Sequence, residues 1–225
     1  MITTESLEKP SLIATPPWTL TGNGVILVYH FSKKFVSEHG FLESYQHKSY
    51  KGFVGSVMLV DYKTSPVGPY SELLFIPGFF KLANQNTFSI SKIYVSSHES
   101  VWNGIINWGI PKEQAAFGIS EEGRVLKFKV DKNGQDFFEA TIQKGIFSFP
   151  ITTAFTPLKI TQLLENDLIL TKPSAKGKAY FGTLKNIKIN SDLFPDFSNQ
   201  RLLSTLVVEN FEMKFPIPTR SNYEK

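Results

Sequence analysis

Apolar residues in this chain fall in short runs and alternations rather than at helical spacing. Residues 24–31 (GVILVYHF) and 53–61 (FVGSVMLVD) read as buried strands. Residues 87–95 (TFSISKIYV) alternate for most of their length, with Phe88, Ile90 and Lys92 on one side and Ser89, Ser91 and Ile93 on the other. Val125, Leu126, Phe128 and Val130 lead into Asp131-Lys132-Asn133-Gly134, and Phe137 to Ile142 return. An Asn-Gly pair between two such runs predicts a hairpin over 124–143. Further strands are predicted at 114–119, 145–150, 168–171, 178–189 and 202–215, and Gly22-Asn23-Gly24 reads as a turn.

Helical signals are few. Residues 32–39 predict two turns ended by Gly40, and 97–106 a short helix with Ser97 as its cap and Gly104 near its end. Residues 156–166 are a third candidate. The chain shows no internal repeat, heptad or low-complexity tract, and proline and glycine punctuate it evenly, so no linker divides it. Many strands with few helices predict a mainly β fold with minor α, one antiparallel barrel-like domain spanning 1–225, with residues 1–14 as a flexible N-terminal tail.

Composition narrows the chemistry. Twenty phenylalanines and eight tyrosines in 225 residues reinforce the β reading. The absence of cysteine excludes disulfides, thiolate nucleophiles and cysteine-bound zinc. His30, His39 and His47 are too far apart for a local metal set, so no metal and no cofactor are expected. The net charge is +4, but only Arg124, Arg201 and Arg220 carry the guanidinium that reads bases, and the lysines are scattered; a nucleic-acid partner is not expected. No apolar run reaches the roughly 18 residues of a membrane helix, and the N-terminus lacks a signal-peptide pattern. A cytoplasmic protein with no membrane partner is the expectation.

Two segments carry chemistry. In Pro66-Val67-Gly68-Pro69-Tyr70-Ser71-Glu72-Leu73-Leu74-Phe75-Ile76 an extended chain puts Glu72 on one face with Tyr70, Leu74 and Ile76, and Leu73 and Phe75 on the other. A carboxylate in such a strand either has a cationic or donor partner or reaches water at the strand end. The second segment, Trp102 to Phe117, is rich in tryptophan and isoleucine and holds a single lysine. Proline stiffens Gly109-Ile110-Pro111-Lys112, and an amine held in apolar surroundings loses its proton more easily, which makes it a nucleophile. Ser96-Ser97-His98-Glu99-Ser100 holds triad residue types but reads as a polar loop or helix start.

Read together, the ordered set Pro16-Pro17-Trp18, Ile26-Leu27-Val28-Tyr29, Gly68-Pro69-Tyr70-Ser71-Glu72, Ile93-Tyr94-Val95, Gly104 and Gly109-Ile110-Pro111-Lys112 resembles the acetoacetate decarboxylase family, most clearly over residues 15–150. The resemblance implies that Lys112 forms a Schiff base with a carbonyl substrate, the type of activated lysine for which acetoacetate decarboxylase is a standing example. It implies that Glu72 orients that lysine or shuttles its protons. It further implies a barrel around an apolar cavity, contacts to a small carbonyl substrate from Tyr70, Ser56, Tyr94, Gly104, Ile110 and Glu113, and a homo-oligomer.

The sequence also departs from the family's pattern. Glu113 stands where the decarboxylases have a second lysine, and Ile105 where they have an arginine. A further arginine of the family falls near Gly22 and a second glutamate near Ser56. If Glu113 approaches Lys112 it holds the ammonium charged; if the segment is extended, the two point to opposite faces and burial alone sets the amine. Two functions are therefore open. One is an imine-forming enzyme acting on a keto acid, ketone or aldehyde by decarboxylation or by aldol and dehydration chemistry. The other is a non-catalytic barrel that binds a small molecule.

Overall fold

Sixteen strands and three helices make up the described part of this computed structural model, residues 7–154 and 158–223. In chain order they begin with β1 (Trp18–His30), α1 (Lys33–His39), α2 (Ser44–Ser49), β2 (Tyr50–Gly52), β3 (Val54–Thr64), β4 (Tyr70–Ile76) and β5 (Phe79–Leu82). Then come β6 (Gln85–Phe88), β7 (Lys92–Val95), α3 (His98–Trp108), β8 (Lys112–Gln114), β9 (Ala116–Glu122), β10 (Val125–Lys132) and β11 (Gln135–Thr152). The chain continues through β12 (Ile160–Leu164), β13 (Asp167–Thr171), β14 (Ser174–Ile189), β15 (Arg201–Phe215) and β16 (Thr219–Asn222).

Ten strands pair in the order β8-β7-β4-β3-β1-β15-β14-β11-β10-β9, and six more as β16-β13-β12-β6-β5-β2. Every pairing in the large sheet is antiparallel except β7 with β8. Its two edge strands are neighbours in sequence, separated by Ala115, whose N–H donates to the Val95 carbonyl. The sheet therefore curls until its ends nearly meet, which removes most of the exposed edge of so apolar a chain.

Strand alternation divides the interior in two. Odd positions of β1 and β3, such as Val25, Leu27, Val57 and Leu59, pack into one core with Leu73 and Phe75. Trp18, Leu20, Val60, Tyr62, Leu74 and Ile93 pack into a second core on the opposite face. The strands read as apolar on both faces because both faces are covered.

The hairpin at 124–143 forms with Asn133 and Gly134 at positive φ, as its turn requires. Ser32 caps α1 and Gly40 closes it. Three local expectations differ from what the chain does, and one helix has no counterpart among them. Gly22-Asn23-Gly24 is not a turn but lies inside β1, where the register slips between the two glycines; a Cβ on Gly22 would stand 2.2 Å from the Asp61 carbonyl oxygen. The stretch 87–95 is two strands in different sheets. At the break the Ile90 carbonyl accepts from Gln46 Nε2 and Gln162 Nε2 instead of a strand partner. Of the helix expected at 156–166, residues 155–157 lie outside the described residues and 160–164 are a strand paired with β13. The helix α2, with Glu43 and Gln46 bonding each other's backbone at its start, carried no sequence signal strong enough to place it.

Residues 1–6 of the expected tail lie outside the described residues, and the rest of it is tied to α3. Asn103 donates to the Leu12 carbonyl at 2.9 Å and accepts from the Ala14 N–H at 2.9 Å, and Asn107 donates to the Ala14 carbonyl at 2.8 Å. No described helix is long and apolar enough to cross a membrane.

Candidate active site

Glu72 stands in the middle of β4, on the face it shares with Tyr70, Leu74 and Ile76, while Leu73 and Phe75 turn to the other core. Opposite it on β3 the register pairs Val60 with Glu72 and Tyr62 with Tyr70. That places the Tyr62 hydroxyl as a donor to Glu72 Oε1 at 3.3 Å. The carboxylate does not reach water: the residue is 6% exposed.

Lys112 is delivered by the end of α3. Gly109 takes the left-handed conformation at φ 64° and closes the helix by donating to the carbonyls of Gly104 and Ile105. The chain then turns at Pro111, the Lys112 N–H donating to the Ile110 carbonyl at 2.8 Å, and Lys112 opens β8 in parallel register with β7, opposite Ile93. Since Ile93 faces the second core, so does Lys112, and the residue is only 6% exposed. Its Nζ lies 3.0 Å from Glu72 Oε2, donates to Ser100 Oγ at 2.9 Å and sits 4.9 Å from the centre of the Tyr70 ring. The aliphatic stem runs over Gly104, where a Cβ would come within 2.6 Å of Cδ and 2.9 Å of Cε. Ser100 and Gly104, four residues apart on one face of α3, thus leave a groove that fits this side chain.

The four groups tune one another. Burial pulls the Lys112 ammonium down, but the Glu72 charge and the hydrogen bonds that the ammonium donates to Glu72 and Tyr70 outweigh it, and the pKa ends above the ordinary lysine value. Burial pushes the Tyr70 phenol up to about 12 against the pull of the Lys112 charge, and burial with the Glu72 charge lifts Tyr62 well above its usual range. The resting site is an ammonium–carboxylate pair flanked by two neutral phenols.

That pair borders a cavity of about 230 Å³. Trp18, Ile26, Met58, Leu74, Ile93 and Trp108 contribute to its apolar wall, and Ser56, Tyr70, Glu72, Ile110 and Lys112 of the anticipated site line it as well. Gly104 acts from behind the lysine rather than on the cavity surface.

Tyr94 and Glu113 lie elsewhere. Their register partners are each other, one step along from Ile93 and Lys112, so alternation sends both to the opposite core. The Tyr94 hydroxyl donates to the Leu193 carbonyl at 3.0 Å, and its ring packs on Phe137. Glu113 pairs with Lys92 and Lys132; although burial works against it, their hydrogen bonds and charges hold its carboxyl below the usual range. Neither borders the cavity as anticipated, and Glu113 is no partner of Lys112. Ser100 and Tyr62 were missed. Ser100 had a signal in its spacing from Gly104; Tyr62, just past the predicted strand end, had none.

No protein-family model and no curated protein sequence matches the chain. Solved structures do. One described as structural studies of acetoacetate decarboxylase is similar at a TM-score of 0.74 with 9% identity, over 98% of this chain and 98% of that one. Acetoacetate decarboxylase from Legionella pneumophila gives 0.71 with 14% identity, over 97% and 94%. The enduracididine biosynthesis enzyme MppR, complexed with the condensation product of pyruvate and imidazole 4-carboxaldehyde, gives 0.67 with 12% identity, over 92% and 90%.

The fold is that of acetoacetate decarboxylase. Within the acetoacetate decarboxylase fold this chain lacks the guanidinium groups that the family resemblance led one to look for. Ile105 is buried among apolar side chains, and Gly22 is pressed against the β3 backbone. Among the described residues bordering the cavity the cations are Lys112 and Lys176. The Lys176 side chain is 70% exposed, with its ammonium 3.7 Å from Glu212.

Proposed function

We propose that this protein is an imine-forming enzyme in which Lys112 Nζ condenses with the carbonyl carbon of a small molecule held in the cavity. The observation that carries this reading is a single buried amine, 3.0 Å from a buried carboxylate, opening onto an apolar chamber of about 230 Å³. The neighbours' names add support: two are acetoacetate decarboxylases, and MppR was captured with a carbonyl condensation product.

In this reading Glu72, 3.0 Å from Lys112 Nζ, moves the protons that imine formation needs. It takes one proton from the Lys112 ammonium, and the freed lone pair attacks the carbonyl carbon; the new alkoxide then takes a proton from the positively charged nitrogen just attached, which gives a neutral carbinolamine. The acid form of Glu72 then protonates that hydroxyl as the C–O bond breaks and water leaves. The products are a protonated imine on Lys112, one water and the Glu72 carboxylate, so charge and atoms balance. The positive imine stands where the ammonium stood, and Glu72 stabilises both. Electrons released from the adjacent carbon, by loss of a proton or of carbon dioxide, flow into that imine. The homo-oligomer implied by the family resemblance belongs to the same proposal.

Reduction with borohydride in the presence of carbonyl compounds, followed by mass spectrometry, tests this. An adduct mapped to Lys112 is expected, and no adduct across a panel of ketones, aldehydes and keto acids overturns the reading. A second reading, a binding protein without turnover, has its own observation: the Lys112 pKa is raised rather than lowered, so the resting amine is not nucleophilic. Tight binding with neither adduct nor turnover would select it.

A further inference from the structure

Counting charge in the cavity defines what can enter it. Glu72 and Lys112 cancel, with both residues 6% exposed. Tyr62 and Tyr70 stay neutral at physiological pH, since burial holds both phenols up. Lys176, the other cation bordering the space, keeps its side chain 70% exposed beside Glu212. Much of the remaining wall is hydrocarbon and indole, including Trp18, Leu20, Met58, Leu74, Ile76 and Ile93.

A keto acid would bring a second carboxylate into this space. After imine formation the chamber would hold one positive charge, on the imine, against two negative ones. A buried charge without a partner is among the costliest arrangements in a protein. An uncharged carbonyl compound leaves the pair balanced before and after condensation. Size adds a second constraint. An enclosed cavity of about 150 Å³ suffices for benzene, and this one, which opens to solvent on the side of Lys176, measures about 230 Å³. Acetone or pyruvate would leave much of it unfilled, forfeiting dispersion contacts with the wall.

We propose that the ligand of this cavity is an uncharged ketone or aldehyde bearing a hydrocarbon tail about the size of an aromatic ring, in preference to a keto acid. The inference builds on the imine reading for the role of the amine, but binding alone can judge it.

The probes are 4-phenylbutan-2-one and 2-oxo-4-phenylbutanoate, which share a tail and differ in having a methyl group or a carboxylate beside the carbonyl. Calorimetric titration of the wild-type protein measures affinity. Cyanoborohydride trapping measures imine formation, with rates divided by those of free butylamine to remove the keto acid's greater intrinsic reactivity. The ketone is expected to bind at least tenfold more tightly and to give at least a tenfold higher normalised rate, with acetone and pyruvate weaker than their phenyl counterparts. Equal or tighter binding of the keto acid overturns the inference while an adduct on Lys112 leaves the imine reading intact. Absence of any adduct overturns the imine reading, and the calorimetric ratio still decides the ligand class. If neither phenyl compound binds, or if acetone binds as well as 4-phenylbutan-2-one, the inference fails.

Discussion

The Lys112 ammonium and the Glu72 carboxylate meet at 3.0 Å with almost no access to water. Removing one partner of such a pair strands the other charge, at a cost of about 3–5 kcal/mol, whereas removing both is far cheaper. Lys112→Met should therefore be strongly destabilised in urea denaturation, and Lys112→Met with Glu72→Gln should recover most of the loss. Additive effects of the two substitutions would contradict the coupling.

The pH dependence follows from the direction of the lysine shift. Its pKa is raised in the folded state, so the pair's contribution to stability is complete below the unfolded value of about 10.4 and is lost as pH rises through the higher folded value. Imine trapping should climb from pH 7 to pH 10 without levelling off, because free amine is still accumulating. In Glu72→Gln the main raising influence is gone while burial remains, so the trapping profile should move toward lower pH. A plateau below pH 9 in the wild type would rule this out.

Gly104→Ala tests the groove behind the lysine. In an open helix this change would add about 1 kcal/mol of stability, but here the new methyl would stand 2.6 Å from Lys112 Cδ. The expected result is at least a tenfold fall in trapping rate with the fold retained, read from trapping alongside circular dichroism. Unchanged trapping would show that the stem has room to shift.

Glu113→Lys would put back the lysine that the decarboxylases have after the first. Because residue 113 faces the opposite core, this should leave the Lys112 trapping profile in place. It should instead crowd a third ammonium against Lys92 and Lys132 and lower the thermal midpoint by several degrees. A trapping profile moved toward lower pH would mean that position 113 does communicate with the cavity.

The strands were legible in the sequence wherever a run was long and its turn chemistry explicit, as at Asn133-Gly134. The face of Glu72 followed from alternation alone. Tyr94 was misplaced because it came with the family's motif and not with a face, whereas for Glu113 alternation already offered the side away from Lys112; the pairing of Ile93 with Lys112, which sorts them, is a long-range register that no local pattern states. The break at Ile90 and the strand at 160–164 were hidden too. The break depends on Gln46 and Gln162 arriving from distant parts of the chain, while the strand at 160–164 forms a hairpin with β13 whose turn the sequence reading did not recognise.

The closure of the sheet through Ala115 has an arithmetical consequence. Between the end of α3 and the first residue of β9 the chain has seven positions, Gly109 to Ala115, and the register in which the short strand among them meets β7 selects which of two successive side chains, a base or an acid, is presented to the hollow. Adding or deleting one residue ahead of Lys112 would exchange them and invert the polarity of the chamber with every chemical group still present.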